Sequence, residues 1–131
     1  MYKVCVDNGH GYSTPGKRTP VMPDGRVIRE WEFNYPTAKK LESILKSCGL
    51  LVVMSSDRRD DTSLASRVKK ANSAKADIFV SIHYNAFRGE WGTHGGVETY
   101  HYMTSTKGKR LAQIVQKELV RATGLRNRPA N

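Results

Sequence analysis

The chain has 131 residues and a mass of 14.7 kDa, the size of one domain with a core of its own. Its 38% hydrophobic and 26% charged residues exclude a disordered tail, and no apolar run approaches the roughly 20 residues of a bilayer span. Lys and Arg outnumber Asp and Glu by 22 to 12, a net charge of +10, so expected partners are polyanions such as nucleic acid, acidic lipid or anionic wall polymers.

The opening Met1-Tyr2-Lys3-Val4-Cys5-Val6 reads as a strand from its second residue, with no signal peptide ahead of it, and a cytoplasmic product is expected. That strand, Tyr2 to Val6, ends at the turn residues Asp7-Asn8-Gly9. From Gly11 to Asp24 the chain is Ser, Thr, Pro, Gly and basic residues without periodicity, a surface loop. A helix follows with Asn34 as N-cap and Pro36 in its first turn. Its apolar positions Ala38, Leu41, Ile44, Leu45 and Cys48 recur at helical spacing, and Gly49 stops it.

Leu50 to Met54 is a short apolar run that suits a buried strand. Asp60 to Lys75 reads as a second helix with Leu64, Val68 and Ala71 on the buried face and Arg67, Lys69 and Lys70 turned away. Ile78 to Ile82 is a third strand and Val97 to Tyr102 a fourth. A third helix runs from about Ser105 to Thr123, with Leu111, Ile114, Val115, Leu119 and Ala122 as its apolar face and Gly124 as its stop. Strands alternating with helices predict an α/β fold: one three-layer domain whose central, largely parallel twisted sheet is flanked by helices. Cys5 and Cys48 fit neither a disulfide framework nor a zinc ribbon, and read as small buried residues on strand and helix.

Ligands of open α/β sheets bind beyond the carboxyl ends of the strands. Two histidines fall there: His10, after the first strand, and His83, after the third. If those strands are neighbours, the imidazoles converge, and a carboxylate just before the first helix, Glu30 or Glu32, would complete a three-ligand site. Two His and one Glu leave a tetrahedral position open for water, as in hydrolytic zinc sites. Spacing alone also allows the plainer reading of solvated histidines and a glutamate that complements a helix dipole.

The segments Val6-Asp7-Asn8-Gly9-His10-Gly11 with Thr14-Pro15-Gly16, Glu30-Trp31-Glu32-Phe33-Asn34, Ser81-Ile82-His83-Tyr84-Asn85-Ala86 and Gly96-Val97-Glu98 resemble, in order, the motifs of zinc-dependent N-acetylmuramoyl-L-alanine amidases of type 3. Among these the resemblance is to prophage endolysins, and it extends over the chain from its first strand to its last residue. It implies Zn2+ held by His10, Glu30 and His83, Glu30 being preferred to Glu32 because it stands four residues before Asn34. The implied reaction is hydrolysis of the amide joining N-acetylmuramic acid to the L-alanine of the peptidoglycan stem peptide. Asn85 either orients His83 or its loop or stabilises a turn, and Trp91, in Arg88-Gly89-Glu90-Trp91-Gly92, either stacks on sugar in a substrate groove or covers core surface. The implied place of action is the cell wall, reached on release from the cytoplasm, with peptidoglycan and anionic wall polymers as partners.

One departure stands against this. The resemblance places a general-base glutamate on a strand beyond the third helix, and no Glu follows Thr123. The expectation is therefore a single catalytic domain, residues 1–131, lacking a C-terminal strand and helix. The base is unassigned, with Glu98 and Glu32 as candidates. Two other readings compete: a non-catalytic wall-binding remnant that keeps the metal site, and a basic nucleic-acid-binding domain, which the absence of a groove-reading motif disfavours. His94 and His101, outside any motif, read as surface or strand residues. The basic run Lys107, Lys109, Arg110, Lys117, Arg121, Arg126 and Arg128 reads as a solvated helix face suited to anionic polymers.

Overall fold

A computed structural model describes residues 1–86 and 89–128. The chain divides into two compact units, Met1–Trp91 and Gly92–Asn131, and each is described by itself.

In the first unit, β1 (Lys3–Asn8), β2 (Leu51–Met54) and β3 (Ile78–Ile82) form a parallel sheet in the order β2-β1-β3. The central strand is the first in sequence because both crossovers return beside it, one carrying α1 (Trp31–Ser47) and the other α2 (Leu64–Ser73). Strand alternation then sorts the side chains. Val4 and Val6 share a face with Val52, Met54, Ile78 and Val80 through the register Val4↔Val52, Val6↔Met54, Val4↔Ile78 and Val6↔Val80. On that face α1 lays Ala38, Leu41 and Leu45, and this is the core. Each valine buried there contributes roughly 1.5–3 kcal/mol relative to exposure. Cys5 and Asp7 necessarily point to the opposite face, where α2 contributes Ala71 and Arg67, all four buried. The sheet is thus flanked by α1 on one face and α2 on the other, the layering that the alternating pattern predicts.

Several local expectations are corrected. Strand β1 runs two residues further, to Asn8. Helix α1 starts a turn earlier than Asn34, with Glu30 as its N-cap and Pro36 inside it. Asn34 is fully buried, and its amide donates to the Gly9 carbonyl at 2.8 Å instead of capping the helix. Helix α2 starts at Leu64, not Asp60, because the Ser63 hydroxyl accepts the Ser66 N–H and fixes the first turn there. Ala71 is buried and Lys69 and Lys70 are exposed as expected, but three other positions depart from the expected pattern. Leu64 and Val68 are 81% and 54% exposed, whereas Arg67 is 3% exposed. Cys48 is exposed at the C-cap of α1; Cys5 is buried as expected.

The second unit holds α3 (Thr106–Thr123), capped by the Ser105 hydroxyl and ended, as the sequence predicts, by Gly124 at φ 65. Its buried positions are Ala112 and Gln116, while Ile114 and Leu119 are exposed. The expected strand at Val97 to Tyr102 reduces, among the described residues, to one parallel bridge between Val97 and Asn127. Val97 donates to the Arg126 carbonyl and accepts from the Arg128 N–H, both at 2.9 Å. The Gln116 amide locks this turn by donating to the Val97 carbonyl and to Asn127 Oδ1, each at 2.7 Å.

Candidate metal centre

Three backbone segments meet at the carboxyl end of the sheet. The Gly9 N–H donates to the Ile82 carbonyl at 3.0 Å, so the chain leaving β1 lies beside the chain leaving β3. That bond brings His10 next to His83, their rings 4.8 Å apart and edge to face. Asn34 brings in the third segment: its amide donates to the Gly9 carbonyl at 2.8 Å and to Glu30 Oε1 at 3.4 Å, tying the start of α1 to the end of β1. Gly9 is required here, because a Cβ at that position would lie 2.2–2.6 Å from atoms of the His83 ring.

Glu30 is the buried centre of the group. Its Oε2 lies 3.5 Å from His10 Nε2, and its Oε1 lies 3.1 Å from His83 Nδ1 and accepts the Tyr84 N–H at 3.0 Å. Burial pushes this carboxyl up, but hydrogen bonds from His83 and the Tyr84 amide, the nearby His10 and the Asn34 amide outweigh it and hold the group at about 2. His10 is shifted below the ordinary histidine range by burial, against the opposing pull of Glu30 and with help from His83 and Lys17. The set therefore favours an ionised carboxylate and a neutral His10, the forms that coordinate a cation. Ligand atoms of His10, Glu30 and His83 all lie within 4.8 Å of one another. Sequence reading gathers these three residues, and the structure places them together.

The other expected site residues fall elsewhere. Glu32 is exposed on the first turn of α1, where its carboxylate accepts the Arg29 N–H at 2.7 Å. Glu98 belongs to the second unit and pairs with Arg128 at 2.9 Å. Asn85 is exposed with a left-handed backbone, φ 21. Trp91 is exposed at the end of the first unit, and Arg88 of the expected groove lies outside the described residues. In the second unit the His94 carbonyl accepts from Arg128, and His101 Nδ1 lies 3.0 Å from the Tyr102 carbonyl.

Sequence reading missed the layer beneath the centre. Asp7 is buried between Ser55 and Ser81, whose hydroxyls both donate to it, and Arg67 Nη1 pairs with it at 2.8 Å. Burial raises the Asp7 carboxyl, but those three donors hold it below the usual range. The same guanidinium donates to the carbonyls of Asn8 (2.6 Å), His10 (3.1 Å) and Thr62 (2.7 Å). The one available sign was a run of polar residues at strand ends. Also unforeseen is the Tyr12 ring, which has the Arg29 and Arg59 guanidinium carbons 4.7 and 3.9 Å from its centroid.

A parallel sheet flanked by helices, with two imidazoles and a carboxylate converging at its carboxyl end, defines the class to which the molecule is compared. Residues 4–131 match the N-acetylmuramoyl-L-alanine amidase family, and the chain belongs to it. Members of this family are generally zinc-dependent. The chain is 38% identical over 129 residues to the N-acetylmuramoyl-L-alanine amidase LytC of Bacillus subtilis, covering 95% of this chain and 24% of that protein. It is 36% identical over 111 residues to the endolysin of Bacillus phage SPP1, covering 84% and 37%. The chain thus spans about a quarter to two-fifths of the length of these relatives. Among solved structures it superposes on the N-acetylmuramoyl-L-alanine amidase of Clostridium difficile 630 with a TM-score of 0.80 at 37% identity, covering 99% of this chain and 68% of that one. The catalytic domain of the amidase CwlV from Bacillus (Paenibacillus) polymyxa var. colistinus gives 0.77 at 37% identity, covering 99% and 69%.

Proposed function

We propose that the chain is the catalytic part of a zinc-dependent peptidoglycan hydrolase, cleaving the amide between N-acetylmuramic acid and L-alanine, with His10, Glu30 and His83 as the zinc ligands. The observation that carries this reading is the convergence of those three side chains, from three separate segments, within 4.8 Å. The donor set fits zinc, which takes imidazole nitrogen and carboxylate oxygen in three-ligand catalytic sites. Zinc held there supplies Lewis acidity, polarising the scissile carbonyl and making water a better nucleophile near neutral pH.

The residues of the chain do the rest. Glu30 is kept anionic by the Tyr84 amide and the Asn34 carboxamide, so it offers charge at neutral pH without a proton to lose. The His83 side chain is 39% exposed and that of His10 21%, whereas that of Glu30 is 4% exposed. The carboxylate therefore anchors the centre from below while the imidazoles border the open side, where substrate approaches. A wall substrate also accords with the charge of +10, which attracts anionic wall polymers in a salt-dependent way. No described helix is long and apolar enough to cross a membrane. The site of action in this reading is the cell wall.

The test is turnover by the full 131-residue chain on purified peptidoglycan, counting newly exposed L-alanine N-termini with and without a zinc chelator. Chelator-sensitive release, restored by added zinc, is the expected result. Release of reducing sugar ends in place of L-alanine N-termini would refute the assigned bond.

A further inference from the structure

Tyr12 follows His10 by two residues, and Arg29 immediately precedes Glu30. The Tyr12 N–H donates to the Arg59 carbonyl at 2.8 Å, which brings in a further segment, the one after β2. The Arg29 and Arg59 guanidinium carbons lie 4.7 and 3.9 Å from the centroid of the Tyr12 ring. Trp31 meets that ring edge to face at 6.0 Å and is itself stacked on Tyr35 at 4.8 Å. Contact with an aromatic face steadies each guanidinium, but two cations on one ring also repel one another. Among the described residues no carboxylate forms an ion pair with either of them. Three neighbouring acids are otherwise engaged: Asp57 with Tyr35 and Lys39, Asp61 with Thr14 and Arg67, and Glu32 with the Arg29 backbone N–H. A second aromatic pair follows the ligand segments, Phe33 and Tyr84 stacked at 5.1 Å, and it carries no cation among the described residues. The charge is particular to Tyr12.

We propose that Arg29 and Arg59, held on the Tyr12 ring, form a subsite for carboxylates of the stem peptide and so select acidic over amidated peptides. This rests on the reading of the chain as an amidase, and it adds what the chain recognises beyond the scissile bond. That bond has an uncharged amino sugar on one side and a peptide bearing carboxylates on the other, so a pair of cations beside the ligand segments suits the peptide. A guanidinium presents a planar fork of donors that matches a carboxylate with two parallel hydrogen bonds. Stacking occupies its face and leaves its N–H edge for the anion. The ring also holds both side chains before substrate arrives, which lowers the ordering cost of binding. An incoming carboxylate then offsets the repulsion between the two cations.

The test compares kcat/KM of the zinc-loaded full chain on N-acetylmuramoyl-L-alanyl-D-glutamate and on its diamide, in which both carboxylates are carboxamides. The parent is expected to prefer the acid by about tenfold or more, the usual worth of a hydrogen bond between charged groups. Arg59→Gln and Arg29→Gln are each expected to shrink that ratio, chiefly through KM, and the double variant to bring it near one. Arg59→Lys, which keeps the charge without the fork, is expected to restore it only in part. Lys40→Gln removes an exposed cation of α1 outside the cluster and is expected to leave the ratio as in the parent. Equal turnover of acid and diamide by the parent, or an equal fall of the ratio in Lys40→Gln, would overturn the proposal. A calorimetric titration of the metal-free chain gives a second reading, with the acid expected to bind more tightly than the diamide or inorganic phosphate. Phosphate binding as tightly as the acid would point to wall-polymer phosphates and overturn the assignment to the stem peptide. Failure to hydrolyse either compound would count against the proposed function and leave the titration to judge the subsite.

Discussion

The Arg67 guanidinium meets the Asp7 carboxylate at 2.8 Å with both side chains almost wholly shielded from water. An ion pair in such a place gains little over a well-packed apolar pair, but removing one partner strands the other charge. Arg67→Ala is therefore expected to cost about 3–5 kcal/mol of stability, read as a fall in the denaturant midpoint of the metal-free chain. Arg67→Lys, which keeps the charge but not the forked donors to Asn8, His10 and Thr62, is expected to recover only part of it.

The exposed apolar residues of α2 give a contrasting expectation. Leu64 is 81% exposed at the helix start, so Leu64→Gln is expected to change stability by less than about 0.5 kcal/mol, as surface substitutions usually do. A loss of several kcal/mol in the same denaturation assay would place Leu64 in the core and contradict the observed orientation.

Gly9→Ala addresses the centre from its backbone side. The added methyl would sit 2.2–2.6 Å from the His83 ring, so the ring must move. Zinc affinity is expected to drop at least about tenfold, in line with the sensitivity of metal sites to ligand orientation, while circular dichroism of the helices stays unchanged.

Acid destabilises the metal-free chain through two groups of the centre. Glu30 is held at about 2 against an ordinary 4.5, so its contribution is complete above about 4.5 and is lost as pH falls toward 2. His10 is shifted downward, so the folded state resists its protonation, and stability begins to fall once pH drops below the ordinary histidine value of about 6.5. Both slopes have the same sign. Glu30→Gln is expected to flatten the part of the stability curve below about pH 4.5, measured by urea unfolding across the acid range.

Much of this architecture is legible in the residues, and the exceptions have physical causes. Three apolar runs and the intervening helical periodicity give β1, β2, β3 and the helices, and histidines just past two strand ends give the centre. The start of α1 is hidden because Asn34, a good cap by type, spends its amide on the Gly9 carbonyl across the fold. The buried face of α2 is hidden because periodicity counts apolar residues, and Arg67 is buried by its partners rather than by its own chemistry. Val97 and its neighbours have strand-like composition, but a strand needs a ladder, and among the described residues Val97 alone pairs there. Ser81 and Asp7 are hidden for a related reason: their importance lies in who donates to whom, which no spacing records.

The central claim is that His10, Glu30 and His83 together hold one zinc ion. Zinc content of the purified full chain, measured by atomic emission beside His10→Ala, Glu30→Gln and His83→Ala, tests it most directly. The account predicts about one zinc per chain in the parent, as expected for three converging ligands, and its loss from each variant on dialysis. Zinc retained equally by the parent and all three variants would contradict it.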